Sequence, residues 1–238
     1  MKIKELCGMI CEQSPWLFSD PSNWQTVIDR LKINPLSLEK GTIIYHQGSI
    51  NKKVYVIKSG RVNLSVVDKQ GDEKCLFVLG SGCVFGEVAV LSGRATSSSA
   101  IAVSPVVLYE VPGEYVLEML KININLNRVI IDNLLKKVNL LTNQIELLSF
   151  YDSSYRVSEN IYYLMDHFGK PDKNGGVLIA MKFTHQEMAK LVGVTRVTVT
   201  NIFLKLEREG LIEKRKNGIY IKDPERFKDY IKAKRSAL

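Results

Sequence analysis

The sequence predicts an α+β fold in three parts: an N-terminal β-barrel, a long helix, and a C-terminal winged helix-turn-helix. Three observations predict it. From about residue 36 to Pro112, short β-rich runs alternate with turn residues. From Ile124, apolar residues recur at spacings of three and four for about four heptads. The segment HQEMAKLVGVTRVTVTNIFLKL (His185–Leu206) then carries the turn and core pattern of two short helices meeting sharply. These signals divide the chain into residues 1–120, 121–150 and 151–238.

In the first part, PWLFSDPSNWQTVIDRLKIN reads as short helices leading into the strands. The runs IIYHQG, VYVIKSG, RVNLSVV, KCLFVLG and AIAVSPVVLYEV have the spacing of a sandwich or barrel, with hairpin turns expected at Ser59–Gly60 and Asp68–Gly71. The long helix places Ile124, Asn127, Ile131, Leu134, Val138, Leu141, Ile145 and Leu148 on one seam, and Leu126, Ile130, Leu135 and Leu147 elsewhere. A helix apolar on two faces needs two covering surfaces, so the seam predicts a homodimer, with Asn127 fixing register. An amphipathic helix buried within one subunit is the alternative.

Composition sets bounds on function. Residues 151–238 hold 17 Lys/Arg against 11 Asp/Glu, so most of the net charge of +8 lies in the shorter C-terminal part, as suits a polyanion-binding module. No apolar run approaches the ~20 residues needed to span a bilayer. The opening MKIKELCGMICEQSPW carries acids and breaks its apolar stretch early, which argues against a secretion signal and for a cytoplasmic protein without a membrane partner. There is no GxSxG elbow, Walker loop or HExxH motif, so no catalytic site is assigned and the chain does not read as an enzyme. His46, His167 and His185 are scattered without metal-ligand spacing. Cys7, Cys11, Cys75 and Cys83 read as ordinary thiols, with redox sensing the alternative. No metal or cofactor is expected.

In the C-terminal part, Thr184 and Glu187 form a capping box, Ala189 is the small residue at the helix crossing, Gly193 permits the turn, and Thr195 caps the second helix. Val199, Ile202, Phe203 and Leu206 follow i, i+3, i+4, i+7 spacing and face inward, so Val197, Thr200, Asn201 and Arg208 face out and Arg196 projects from the first turn. That end of a recognition helix meets base edges in the major groove of double-stranded DNA. Thr184, Gln186, Thr195 and Thr198 are placed to bond phosphates. The segment GLIEKRKNGIYIKD reads as a two-stranded wing tipped by Lys214, Arg215 and Lys216.

These residues resemble the CRP/FNR family of bacterial regulators. The likeness includes His46-Gln47-Gly48, Ser59-Gly60, Phe85-Gly86-Glu87 and Ser97–Ala100, then Thr184–Glu187, Gly193 and Thr195–Thr200. It implies a β-barrel of the cyclic-nucleotide-binding type (a jelly roll), a dimerising helix, a small-molecule effector and contact with RNA polymerase. It also implies an effector site between barrel and helix, formed by Gly86, Glu87, Ser97, Ser98 and Ser99 with Leu141 and Thr142. Cyclic-nucleotide binders use an Arg about ten residues after the Glu to neutralise the phosphate; here that place falls within Ser97–Ser99. Hydroxyls compensate a buried anion poorly, which argues against cyclic AMP unless Arg94 reaches inward. A regulator that has lost ligand control is the remaining alternative. Arg196 matches a base-reading arginine of the cyclic-AMP receptor, whereas Val197 and Asn201 replace a Glu and an Arg. Val suits a thymine methyl and Asn suits adenine, so the expected target is an A/T-richer palindrome. Val197 also resembles the branch containing halorespiration regulators that sense chlorinated phenols, which points to an aromatic or phenolic effector; the regulator is expected to be an activator.

Overall fold

The computed structural model describes residues 15–236 apart from Asn174 and Lys182. They form two compact units, one spanning Pro15–Leu141 and the other beginning at Thr142.

The first unit opens with a short strand β1 (Trp16–Leu17), a single 3-10 turn over Pro21–Trp24 and helix α1 (Gln25–Leu31). Strands β2 (Leu36–Leu38), β3 (Ile43–Tyr45), β4 (Lys53–Ser59), β5 (Val62–Val67), β6 (Glu73–Leu79) and β7 (Val84–Phe85) follow. After helix α2 (Glu87–Ser92) come β8 (Ser99–Ala102), β9 (Val106–Pro112) and helix α3 (Gly113–Ile122). Helix α4 runs over Ile124–Phe150.

The strands do not close into the expected barrel. They form two open sheets, one in the order β1-β6-β5-β8-β3 and the other β2-β9-β4-β7. The reason lies at Ser59–Gly60. Asp68–Gly71 does join a hairpin, β5 with β6, and Asp68 Oδ1 accepts from the backbone N–H groups of Gln70 and Asp72 at 2.9 Å. Ser59–Gly60, by contrast, passes the chain from the sheet of β4 to the sheet of β5. Gly60 adopts φ +89, and a Cβ there would lie 2.2 Å from the Pro105 carbonyl oxygen. Tyr45, Ile57, Leu64, Phe77, Leu79, Phe85 and Leu108 from both sheets make one core. A second core gathers Trp24, Val27, Ile28, Val54, Val56, Val111, Val116, Leu126 and Ile130.

Helix α4 has two unlike faces. Leu126, Ile130, Asn133, Lys137 and Leu140 are buried. Ile124, Ile131, Val138 and Ile145 are exposed, Ile131 at 53% and Val138 at 56%. The exposed set is the first position of each predicted heptad. Asn127, the polar residue expected in the seam, donates its Nδ2 to the Leu120 carbonyl at 2.7 Å and satisfies the end of α3.

The second unit contains the end of α4 and helix α5 (Ser153–Phe168), whose N-cap Asp152 accepts from the Tyr155 N–H at 2.6 Å. Strands β10 (Gly169–Pro171) and β11 (Val177–Ile179), helices α6 (His185–Val192) and α7 (Arg196–Arg208), strands β12 (Glu213–Arg215) and β13 (Gly218–Ile221) and helix α8 (Pro224–Ser236) complete it. The expected two-stranded wing is half of a four-stranded sheet, β10-β11-β13-β12. The Gly/Lys/Asp-rich loop joins β10 to β11, with Asp172 Oδ1 accepting from the Gly176 N–H at 2.9 Å.

Replacing Gly60 with Ala should destabilise the first unit by ~2 kcal/mol or more, since both backbone angle and space oppose a side chain. Urea unfolding of both proteins tests this; an unchanged midpoint would contradict the assignment of the turn.

Candidate functional site

Two places concentrate functional side chains, one in each unit. In the first, Gly86 (φ 83) is the N-cap of α2 and sets Glu87 in its opening turn. A Cβ at Gly86 would meet the Lys53 carbonyl oxygen at 2.6 Å, so glycine is required for this approach. The Glu87 side chain is out of water at 0% exposure. Burying a carboxylate is costly unless a cation and hydrogen bonds compensate. Helix α4 supplies both. Lys137 Nζ lies 2.6 Å from Glu87 Oε1 and donates to the Val84 carbonyl at 2.9 Å. Asn133 Nδ2 donates to the same Oε1 at 3.3 Å. Glu87 Oε2 is buried without a hydrogen-bond partner.

Tyr45 stands beside this pair. Burial, and then the negative charge of Glu87, pushes its phenol well above the usual value, with Ser98 and the Gly86 backbone acting the other way. Its ring joins Tyr55 and Phe85 in an aromatic trio, with Tyr55 stacked on Phe85 at 4.9 Å. Ser98 and Ser99 are buried, and Ser99 Oγ accepts from the Gln47 N–H at 2.9 Å. Ser97 and Arg94 are exposed, so the structure does not bring Arg94 to Glu87's buried carboxylate. Leu141 packs on the core of the sheets, whereas Thr142 is exposed. The sequence reading missed Asn133, Lys137 and Tyr45. The available signal was a polar pair, Asn133 and Lys137, spaced four apart on the otherwise apolar face of Leu126, Ile130 and Leu140.

In the second unit, Thr184 Oγ1 accepts from the Glu187 N–H at 3.0 Å and Glu187 Oε2 accepts from the Thr184 N–H at 2.7 Å, completing the capping box. Gly193 (φ 70, ψ 51) ends α6 in the left-handed region. Thr195 Oγ1 accepts from the Thr198 N–H at 3.1 Å and starts α7. Val199, Ile202, Phe203 and Leu206 are buried, as the spacing required. Thr184, Gln186, Thr195, Arg196, Asn201 and Lys216 are exposed, and Val197 is 67% exposed. Thr198 and Thr200 are half-buried with engaged hydroxyls: Thr198 bonds Thr195 Oγ1 at 2.8 Å, and Thr200 donates to the Arg196 carbonyl at 3.0 Å. On the wing, the Arg215 guanidinium lies 3.4 Å over the Tyr220 ring, whose hydroxyl donates to Asp172 Oδ2 at 2.6 Å.

Cys75 and Cys83 are buried, and burial pushes the Cys83 thiol up to about 11. Cys7 and Cys11 lie outside the described residues. Among the described residues no group of three or more His, Cys, Asp and Glu is placed to hold a metal ion, and no helix is long and apolar enough to cross a membrane.

Comparison with known proteins places both units. Residues 35–123 match the cyclic nucleotide-binding domain, and residues 156–230 match the Crp-like helix-turn-helix domain. The global nitrogen regulator of Synechococcus elongatus is 30% identical over 197 residues, covering 82% of this chain and 88% of that protein. Among solved structures, a CooA variant from Carboxydothermus hydrogenoformans has a TM-score of 0.75 at 19% identity, covering 92% of this chain and 99% of that one. An OCPA-complexed CprK structure has a TM-score of 0.71 at 20% identity, covering 94% and 99%. The chain therefore belongs to the CRP/FNR family. Its members are DNA-binding transcription regulators rather than enzymes.

Two expectations follow. Lys137→Met should cost ~3–5 kcal/mol by leaving Glu87 charged and unpaired, and adding Glu87→Gln should recover most of the loss. A double-mutant cycle in urea measures this; additive losses would mean that the two side chains do not interact. In the second unit, burial raises the Glu159 carboxyl to about 7, against a lowering hydrogen bond from Tyr155 and the charge of Arg235. The folded state then holds a proton that the unfolded chain releases, so stability falls as pH rises from 4.5 toward 7. Glu159→Gln should flatten that slope in thermal melts, and an unchanged slope would place the titration elsewhere.

Proposed function

We propose that this protein is an effector-responsive regulator that binds an A/T-rich palindrome as a homodimer and activates transcription through RNA polymerase. The observation that carries the DNA reading is the first two turns of α7, where Arg196, Val197 and Asn201 reach solvent while Val199, Ile202 and Phe203 hold the helix from behind. Arg196 fits guanine, Val197 a thymine methyl and Asn201 adenine. Thr184, Gln186, Thr195 and Lys216 supply phosphate contacts around them. The engaged hydroxyls of Thr198 and Thr200 favour a supporting role for those two. The exposed stripe of Ile124, Ile131, Val138 and Ile145 supports pairing of two copies, as a palindrome with half-sites in successive grooves about 34 Å apart requires.

The effector reading is a small molecule other than cyclic AMP, bound at Glu87, Lys137, Tyr45 and Ser98. Glu87 Oε2 offers an unsatisfied acceptor and Lys137 a cation, while the Tyr45, Tyr55 and Phe85 rings suit an aromatic body. A phenol meets all three demands, its O–H donating to Glu87 Oε2, its oxygen accepting from Lys137 and its ring lying against the aromatic trio. A buried cyclic phosphate would find only the hydroxyls of Ser97–Ser99 where an arginine is needed. A redox mechanism draws no support from Cys75 and Cys83, both being buried. Ligand binding at Lys137 acts on α4 and so couples its packing to DNA affinity.

Arg196→Ala should weaken binding to the preferred duplex by ~1–3 kcal/mol and relax choice at one base pair. Anisotropy titrations in rising salt measure it; equal losses on preferred and random duplexes would make Arg196 a phosphate contact only. Ile131→Asp with Val138→Asp should give folded monomers in sedimentation, and a persisting dimer would put the interface elsewhere. A thermal-shift series of cyclic nucleotides and phenols tests the effector: stabilisation by cyclic AMP alone would overturn the assignment.

A further inference from the structure

We propose that His185 positions the reading end of α7 and makes DNA affinity depend on pH near neutrality; the second half of this rests on the DNA reading above. His185 is the first residue of α6, and its Nδ1 lies 2.9 Å from Thr200 Oγ1 in the middle of α7. Thr200 has one hydroxyl proton, which it donates to the Arg196 carbonyl at 3.0 Å. The His185 Nδ1 therefore carries the hydrogen, and the chain runs His185 N–H to Thr200 O–H to Arg196 C=O. Successive bonds of this kind polarise and strengthen one another. The imidazole also lies 4.7 Å from the Phe203 ring, itself a core residue of α7. One side chain on α6 thus fixes both the buried flank of α7 and the backbone from which Arg196 projects.

The second ring nitrogen is not used in this chain, so a second proton leaves the Nδ1 bond intact and adds a positive charge. In the DNA-free protein that charge is opposed. Partial burial acts first, followed by Lys214 from β12 and Arg196 from α7, with Glu207 of α7 acting the other way. DNA shifts the balance: phosphates near Lys214 and the guanine acceptors that Arg196 meets offset the two cations that add to the effect of burial. Linkage then requires that the complex bind the proton more tightly than the DNA-free protein, so affinity rises as pH falls.

The test is the dissociation constant of the full-length protein for its preferred duplex and for a random duplex at pH 6, 7 and 8 and one salt concentration. His185→Asn keeps an N–H donor near the Nδ1 position but cannot titrate. Relative to that variant, the wild type should gain about threefold or more between pH 8 and pH 6, within the tenfold per unit that one proton allows. His185→Ala should lose about fivefold in the preferred-to-random ratio at pH 8, the scale of one hydrogen bond, and His185→Asn should restore it. If the alanine variant does not fold, Thr200→Val removes the same link and should lose the same ratio. Equal pH profiles in wild type and His185→Asn, or an unchanged ratio in His185→Ala and Thr200→Val, would overturn the inference while leaving DNA recognition standing. No duplex preference at any pH would overturn both.

Discussion

A carboxylate sealed from water sets the terms for the first unit. Glu87 sits at 0% exposure, and Lys137 and Asn133 bring it a cation and a donor. Both come from α4, four residues apart, so the pair fixes the rotation of that helix about its own axis. Once Asn133 and Lys137 point at Glu87, Leu126, Ile130 and Leu140 must follow them inward. Ile124, Ile131 and Val138 are then carried to the outside. The electrostatic demand of one buried acid thereby determines which apolar stripe is presented for pairing.

The DNA-binding elements were the most legible part of the sequence because their signals are local. A capping box, a left-handed glycine and an i, i+3, i+4, i+7 core each act within a few residues; α6 begins and ends, and α7 begins, where those signals place them. Strand pairing is different. Alternation reports which face is buried but not which strand lies alongside, so two open sheets were read as a barrel, and Ser59–Gly60 as a hairpin. The wing was read from its charges, whereas its backing strands β10 and β11, three residues each, are too short to show a period.

At the candidate sites the same division holds. Exposure of Arg196, Val197 and Asn201 follows from helical spacing alone. The engaged state of Thr200 does not, because it depends on His185 arriving from another helix. Lys137 lies between the heptad positions Leu134 and Val138, while its partner lies fifty residues earlier. Long-range charge pairing leaves little trace in a single chain. A polar residue inside an apolar stripe is the trace it does leave.

Cys75 and Cys83 are enclosed, the first on β6 and the second just before β7. Alkylation requires a thiolate, and in the closed protein Cys83 supplies almost none at neutral pH because its thiol titrates at about 11. Reagent therefore reaches that sulfur chiefly when the sheets part, and the labelling rate counts those openings. The interior of this unit carries its own clock for breathing motions.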